Sequence, residues 1–177
     1  MIDSAHAQTS AAPVWTIDPA ASSIGFSGTH SGNEFKGTFT SWTGEIAFDP
    51  QNLEASSATI KIDTSSAQTG DKTYDGTLPN TDWLDSKTLP EAVFTSSAFR
   101  QVGDDTYEVD GTLTIKNIKQ DITFPFTLQI EGDTATMDAN LELDRLAFGI
   151  GKDADPKAEW VSANIGVTLQ VKATRQP

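Results

Sequence analysis

Cysteine is absent from the 177 residues of the chain, and its absence excludes several kinds of site. Disulfide bonds, zinc sites built on thiolates, iron–sulfur clusters and thiol nucleophiles all need cysteine. Histidine is nearly absent as well, with only His6 and His30. Sites built from several histidines are therefore excluded. A serine–histidine–aspartate triad has only His30 to use, and the Gly-x-Ser-x-Gly turn that often presents the nucleophile is missing.

Long apolar runs and positive charge are also scarce. No segment approaches the roughly 18 consecutive apolar residues of a membrane-spanning helix. The chain carries 12 basic and 25 acidic residues, for a formal net charge of −13. This charge repels nucleic-acid phosphates and anionic membrane surfaces. We therefore predict no nucleic-acid partner and no stable membrane insertion.

The acidic residues show no metal-binding or catalytic spacing. Asp153, Asp155 and Glu159 lie in one loop, but the glycine that an EF-hand needs for its sharp turn is missing, so we predict a charged loop without a metal ion. Paired glycosidase carboxylates leave no spacing signature, yet most acids here fall on turns or on the polar phase of strands. No phosphate-binding loop or dinucleotide fingerprint occurs. We predict that the protein is not an enzyme.

The first 13 residues are small and polar and lack the apolar core of a complete signal peptide. Within them, Ala5-His6-Ala7 has the small-x-small form of a cleavage site. Residues 1–13 are thus either the remnant of an exported precursor or a leader or linker. In both cases they lie outside the fold, and residues 14–175 form a single domain.

From residue 14 onward apolar and polar residues alternate, which is the period of a β-strand with one buried face. In the stretch 111–130, GTLTIKNIKQDITFPFTLQI, the apolar phase is interrupted once, by a predicted turn at 116–121. A phase shift between Phe39 and Trp42 predicts a bulge or a bend. Turn-forming residues separate the alternating segments, which are 14–18, 22–30, 34–49, 57–64, 92–100, 106–116, 120–130, 135–143 and 160–173.

This number of segments at hairpin spacing predicts an all-β fold, either an antiparallel barrel or a sandwich. The one-sided alternation favours a single sheet closed on itself. The segment 69–92 lacks the period of two, and we expect Asn80 or Thr81 to cap one helical turn through Trp83 and Leu84. A barrel of about eight strands is either filled by its own side chains or holds a ligand, and alternation alone leaves both open.

The motifs, in their order along the chain, resemble those of the YceI-like family. VWTID…SSIGFSGTH…FKGTFTSWTGEIAFD is similar to the family's Trp-x-Ile-Asp, Ser-x-Ile-x-Phe and Gly-x-Ile-x-Phe-Asp elements. DGTLTIKNIKQDITFPF resembles its Gly-x-Leu-Thr-Ile hairpin, and LDRLAFGIG at 143–151 resembles its Arg-x-x-Phe-Gly signature. The similarity covers residues 14–173. In the 69–92 loop a family histidine is missing, and Trp83-Leu84 replace an aromatic pair.

The resemblance implies a lipocalin-like antiparallel β-barrel of about eight strands, usually periplasmic or secreted. It implies binding, storage or transport of a long-chain polyisoprenoid lipid in an apolar tunnel, either an isoprenoid quinone such as ubiquinone or a polyprenyl phosphate, with no catalytic cofactor. A homodimer, or fusion to other secreted domains, is compatible with it. Trp83 and Leu84 are expected to form a lid. The residues expected to line the tunnel are Phe26, Phe35, Phe39, Trp42, Ile60, Phe94, Leu113, Ile115, Phe124, Phe126, Leu128, Met137, Leu141, Phe148, Ile150 and Ile165.

Two polar residues fall on the apolar phase, and each has two interpretations. His30 either contacts a polar headgroup or is a buried histidine with a hydroxyl or backbone partner. Arg145 either binds phosphate or, as we favour, forms an ion pair with a loop carboxylate. The alternative function is a carbohydrate-binding module of a secreted multidomain protein, with Trp42, Trp83 or Trp160 as an exposed sugar platform.

Overall fold

The computed structural model describes residues 11–177, and the motif at residues 5–7 lies outside the described residues. Single-turn 3-10 helices occupy Leu53–Ala55, Thr64–Ser66 and Arg145–Phe148. The remaining elements are β1 (Val14–Ile17), β2 (Ser23–His30), β3 (Asn33–Phe39), β4 (Trp42–Ala47), β5 (Ser57–Asp63), β6 (Ala67–Gln68), α1 (Lys72–Thr77), β7 (Glu91–Gln101), β8 (Thr106–Ile115), β9 (Ile118–Glu131), β10 (Thr134–Asp144) and β11 (Asn164–Arg175).

The strands form one closed antiparallel barrel of eight strands, which confirms the predicted fold. Three of the eight are each broken into two pieces, namely β1 with β2, β3 with β4, and β5 with β6. The others follow as successive hairpins from β7 to β11. Because β1 pairs with both β4 and β11, the sheet closes on itself. The break between β3 and β4 lies at residues 40–41, where the phase shift predicts a bend.

The hairpin between β8 and β9 shows how local residues set the register. Its two-residue turn is formed by Lys116 and Asn117, whose φ angles of 54° and 62° are both positive. Positive φ at both positions suits the twist of paired antiparallel strands. The Lys116 amine donates to the carbonyl oxygens of Asp82 at 3.0 Å and Gly149 at 2.9 Å, which holds the turn against two neighbouring loops. As a result β9 begins at Ile118, earlier than predicted.

The core lies inside the barrel, because every second side chain of each strand points inward. Its larger buried members come from the four strands β1, β7, β8 and β9 and from two segments outside the strands, so no single hairpin encloses a core alone. They are Trp15, Phe48, Phe94, Tyr107, Val109, Leu113, Phe124, Phe126 and Phe148.

The short helix lies elsewhere in the loop before β7 than predicted. The carboxylate of Asp71 accepts hydrogen bonds from the N–H groups of Thr73 at 2.8 Å and Tyr74 at 3.2 Å. This is the geometry of a helix N-cap, and α1 follows directly. Around Asn80 and Thr81 the backbone forms turns instead of a helix. The predicted cap at those two residues is therefore wrong.

Strand β11 begins at Asn164, later than predicted. In the residues before it, the carbonyl oxygens of Val161 and Ser162 accept hydrogen bonds from Arg145 at 2.8 and 3.0 Å. The N–H of Val161 donates to Asp155 at 2.8 Å. Because side chains take up these backbone groups, only an isolated bridge joins this stretch to a neighbouring strand.

Residues 11–13, which the sequence assigns to the leader, contact the barrel. The side chain of Ala12 is 5% exposed, and the carbonyl oxygen of Pro13 accepts a hydrogen bond of 3.0 Å from the N–H of Phe48. The contacts with the barrel therefore begin before residue 14.

Candidate functional site: an apolar cavity inside the barrel

The barrel encloses a cavity of about 210 Å³. Among the described residues, all those that line it are apolar except Thr64. The Thr64 hydroxyl lies 3.1 Å from Ser86 Oγ and 3.0 Å from the carbonyl oxygen of Pro90, so it is already hydrogen-bonded. An empty apolar cavity of about 150 Å³ is large enough to bind benzene. The interior is therefore a site for an uncharged, apolar group.

Most of the residues predicted to line a tunnel face this cavity. They come from the seven strands β3, β4, β5 and β7 to β10 and from the loop before β7. In that loop, Leu84 is the one residue of the predicted lid pair that reaches the interior. The predicted residues in the lining are Phe39, Trp42, Ile60, Leu84, Phe94, Leu113, Ile115, Phe124, Phe126, Leu128, Met137 and Leu141.

The other predicted residues lie outside the lining, because they pack where the barrel is closed by loops. Phe148, which is 2% exposed, and Ile150 belong to the turn after β10 and pack against the core. His30, Phe35 and Ile165 lie near α1, and Trp83 lies in the loop before β7. Phe26 packs on Phe39, with ring centroids 5.1 Å apart. The predicted residues outside the lining are Phe26, His30, Phe35, Trp83, Phe148, Ile150 and Ile165.

Further lining residues were not singled out from the sequence. They share the period of two with the predicted ones, and many are alanine, valine or isoleucine, which carry no aromatic signal. Most of them lie on the apolar phase of their strands, but alternation alone does not distinguish a cavity lining from a packed core. They are Trp15, Ile24, Ile46, Phe48, Ala58, Ile62, Thr64, Ala92, Phe99, Val109, Ile122, Ile130, Ala135, Leu143, Val167, Leu169, Val171 and Ala173.

An aromatic cluster fills the end of the barrel near the chain termini. Phe126 is stacked on Tyr107, with ring centroids 5.6 Å apart and planes 19° apart. Phe48 meets Phe99 edge-on at 5.3 Å and Tyr107 at 5.6 Å. The indole N–H of Trp15 donates to the carbonyl oxygen of Phe48 at 3.0 Å. Edge-on and offset contacts of this kind are the favoured arrangements of aromatic rings, so this end is packed as core.

A second cluster lies under α1 at the opposite end. His30 Nδ1 lies 2.9 Å from the hydroxyl oxygen of Tyr74. This is the hydroxyl partner expected if His30 is a structural histidine and does not contact a headgroup. Phe35 packs on the same tyrosine at 5.8 Å. A Cβ placed on Gly28 would lie 2.8 Å from Phe35 Cζ and 3.0 Å from Ile165 Cδ1, so glycine lets these two side chains approach the strand. Together these contacts attach α1 to the barrel.

Arg145 is buried, at 2% exposed, and its guanidinium is fully engaged. Nη2 lies 3.0 Å from Asp155 Oδ2, and Nη1 donates to the carbonyl oxygens of Ile150 at 2.9 Å and Gly151 at 3.2 Å. This confirms the ion pair with a loop carboxylate that the sequence favours. The Trp83 ring covers the guanidinium at 5.5 Å. Arg145 therefore joins the loops at this end of the barrel and does not face the cavity.

The carboxylate of Asp155 depends on the same network. Burial raises its pKa, but the N–H groups of Val161, Trp160 and Glu159 and the charge of Arg145 together lower it more. The pKa of Asp155 therefore lies below its usual value, and the carboxylate is charged at neutral pH. Among the described residues, no group of three or more histidine, cysteine or acidic side chains is placed to hold a metal ion.

The tryptophans differ in exposure. Trp42 lines the cavity, and Trp83 lies on Arg145, so neither is a flat surface platform. Trp160 is 61% exposed and is the one of the three candidates that lies open to solvent in the described structure. In residues 11–177, no helix has the length and apolar character needed to cross a membrane.

Comparison with known proteins gives consistent matches. The YceI-like domain family matches residues 15–173. A UPF0312 protein of Pseudomonas putida strain W619 is 31% identical over 140 residues, which cover 76% of this chain and 70% of that protein. The structure of BcnA from Burkholderia cenocepacia is similar, with a TM-score of 0.85 and 32% identity over 89% of this chain and 99% of that one.

A more distant structure has the same fold. A polyisoprenoid-binding domain from Saccharophagus degradans superposes with a TM-score of 0.74, covering 92% of this chain and 98% of that domain. The sequence identity is 16%, so this likeness shows the fold alone.

Proposed function

The chain belongs to the YceI-like domain family, and on this basis we propose that it binds a long-chain polyisoprenoid lipid in the cavity inside the barrel. The lipid is an isoprenoid quinone such as ubiquinone, or a polyprenyl phosphate, which the protein stores or transports. The observation that carries the proposal is the cavity of about 210 Å³ whose lining is apolar apart from one satisfied threonine. The fold shared with a polyisoprenoid-binding domain supports it.

A prenyl tail suits this lining because it needs no hydrogen bonds. Burial of each carbon contributes about 0.8 kcal/mol, so one isoprene unit of five carbons contributes up to about 4 kcal/mol. A few units are enough for tight binding even after the cost of association is subtracted. Affinity then depends on how many units reach the interior.

The headgroup of the lipid belongs outside the cavity. Among the described lining residues there is no charged side chain, and the buried cation Arg145 is already bonded to Asp155 and to carbonyl oxygens. A phosphate placed in the cavity would lose its hydration without gaining a partner, which is strongly unfavourable. The interior therefore selects the tail.

We propose a binding role and not a catalytic one. Of the three candidate tryptophans, the carbohydrate-binding alternative now depends on the exposed Trp160, because Trp42 lines the cavity and Trp83 covers Arg145. Quenching of the Trp160 fluorescence by oligosaccharides, with no effect of prenyl lipids on the protein, would favour that alternative.

The test is an organic extract of the purified protein, examined by mass spectrometry, followed by reloading of the delipidated protein with ubiquinone. A prenyl lipid in the extract, or uptake of about one ubiquinone per chain, is the expected result. A matched protein sample boiled before loading is the control. A clean extract together with no uptake of ubiquinone or undecaprenyl phosphate would overturn the proposal.

We also propose a periplasmic or secreted location. The small-x-small motif at residues 5–7 is the feature that supports it. Fractionation of cells that express the complete gene tests the location. Recovery of the protein only with cytoplasmic markers would contradict it.

A further inference from the structure

Strand pairing in the barrel wall is interrupted at two places. One lies between β9 and β10 beyond Phe126 and Ala139, and the other lies beside β1 and β4. The pairing of β1 with β4 ends at Trp15 and Ile46, and the pairing of β2 with β3 starts at Ile24 and Phe39. Within the described part of the chain, no strand pairing joins the residues between these points. We call this gap, between residues 16–23 and residues 40–45, the seam.

Both rims of the seam are held by their other neighbours. On one rim, Ile17 pairs with Ala173, and the N–H of Asp18 donates to the carbonyl oxygen of Lys172 at 2.8 Å. On the other rim, β4 is paired with β5 along its whole length. The seam is therefore an opening with fixed edges and not a frayed end.

A groove on the outer surface lies beside the seam. This groove has a volume of about 890 Å³. Four residues line both spaces, namely Trp15, Phe39, Trp42 and Ile46. A shared lining of this kind places the groove directly against the cavity.

The side chain of Ile17 covers part of the seam. A Cβ added to Gly44 would lie 2.6 Å from Ile17 Cδ1, so the end of the isoleucine occupies the space above the glycine. Rotation about side-chain bonds moves such an end without any change in the backbone. The strands at the seam therefore need not separate for a narrow chain to pass.

The two ends of the barrel are less open. One is filled by the cluster of Phe48, Phe99, Tyr107 and Phe126. The other is covered by α1 and by the loops that Arg145 joins. Passage through either end needs several packed groups to move together, whereas the seam is covered by the end of a flexible side chain.

The groove differs from the cavity in chemistry. Hydroxyl groups supply most of the polar side chains in its lining, including those of Thr16, Ser22, Thr40 and Thr43. The single charged side chain that the described lining contains is the carboxylate of Glu45. Hydroxyls donate and accept hydrogen bonds to carbonyl, ether and hydroxyl oxygens, while a carboxylate repels phosphate. The groove therefore suits an uncharged, oxygen-bearing group.

We propose that the seam is the passage through which the prenyl tail reaches the cavity, and that the groove outside it binds an uncharged headgroup of the quinone type. The inference rests on the proposed function and narrows it to isoprenoid quinones over polyprenyl phosphates. The cavity volume agrees with it, because about 210 Å³ holds only a short piece of a prenyl chain. The remainder of the molecule then lies in the groove.

A reversible cross-link tests the passage. Because the chain has no cysteine, Ile17→Cys with Gly44→Cys creates the only thiol pair, at positions where side chains from the two rims meet. The matched control is Thr112→Cys with Asp121→Cys, which lies across the continuous pairing of β8 with β9 in the opposite wall. Free-thiol titration confirms each cross-link, and circular dichroism confirms the fold.

Uptake of ubiquinone from phosphatidylcholine vesicles is then followed with time. We expect the oxidised seam pair to load at least about tenfold more slowly than the same protein after reduction, and the control pair to load equally in both states. Equal rates for the oxidised and reduced seam pair would overturn the passage while leaving the proposed function intact. If unmodified protein takes up no lipid, the proposed function fails instead.

Two further variants keep the passage testable if the thiol pair does not close or does not fold. Ile17→Ala should speed loading and Ile17→Trp should slow it. Identical loading rates for the two variants would overturn the passage.

Competition between ubiquinone and undecaprenyl phosphate tests the headgroup. Unmodified protein should prefer ubiquinone, and Glu45→Lys should shift the ratio toward the phosphate by about fivefold, since each charge contact at the surface changes affinity by that order. Glu142→Lys, on the exposed face of β10, is the matched control and should leave the ratio unchanged. A ratio that Glu45→Lys does not move, or a preference of unmodified protein for the phosphate, would overturn the groove as the headgroup site.

Discussion

Ala58→Phe adds a ring to the cavity wall at a place where there is space for it. Ala58 lies on β5, lines the cavity and pairs with Ile46 across the sheet. Its N–H donates to Ser96 Oγ at 2.8 Å, and the substitution keeps this backbone contact. The new ring therefore points into space that the proposed lipid tail would occupy.

The size of the effect follows from the volume. A phenyl ring takes up a large part of about 210 Å³ and displaces about one isoprene unit. Five carbons at about 0.8 kcal/mol each give a loss of about 4 kcal/mol, or about a thousandfold in the dissociation constant. If the lining relaxes and half of this energy is recovered, the loss is still about thirtyfold. The free energy of unfolding should change by less than about 1 kcal/mol, because the ring fills a void instead of overpacking a filled core.

Titration of delipidated protein with ubiquinone, beside urea unfolding, measures both quantities. The matched control is Ala98→Phe, the same change at an exposed position of β7 outside the cavity. The control should bind as the unmodified protein does. Unchanged affinity of Ala58→Phe with unchanged stability would show that the tail does not occupy this cavity, and the reasoning above would be wrong.

Three other changes have definite expected outcomes. Arg145→Met removes one partner of a buried ion pair and should lower the free energy of unfolding by about 3–5 kcal/mol in urea titrations; a loss under 1 kcal/mol would contradict the network. Hydrogen bonds from Arg100 and Thr123 lower the pKa of Asp110 from 3.8 to about 2. The charged carboxylate therefore stabilises the folded protein above pH 3.8, and this stabilisation should be lost as the pH falls toward 2. Arg100→Gln should make the free energy of unfolding depend less on pH in that window. Trp160→Ala should leave ubiquinone affinity within twofold by the same titration; a larger loss would place this exposed residue in the site.

Most of the fold could be predicted because alternation is a local property. The segments that became β8, β9 and β10 were located to within about two residues, since every second residue there is apolar over a long run. The start of β11 is predicted too early because Arg145 and Asp155 bond the backbone groups of Val161, and alternation gives no sign of such contacts. The helix was misplaced because Asp71 and Asn80 are both acceptable caps, and the contacts of Tyr74 under the barrel end favour the first.

The candidate site was predicted in part. The residues on long strands, such as Phe124 and Leu128, were placed correctly on the inward face. Phe26 and Ile165 were not, because Phe26 packs on Phe39 over Gly37 and Ile165 packs beside Gly28, and these neighbours are set by strand pairing and not by the local sequence. Alanine at position 58 was overlooked since a small side chain gives no signal, although small side chains on the inner face leave the space that forms the cavity.

The order of apolar and polar residues is sufficient to specify strands with one buried face. Three other properties also follow from the sequence, namely the acidic surface, the absence of thiol chemistry and membership of the YceI-like family. The position of the cavity, the packed aromatic end and the seam depend on which strands become neighbours when the sheet closes. The seam arises because the β1–β4 pairing and the β2–β3 pairing have different registers on the two sides of residues 18–22. This mismatch between segments far apart in the chain has no local signature, because it is created only when the two pairs of strands meet in one wall.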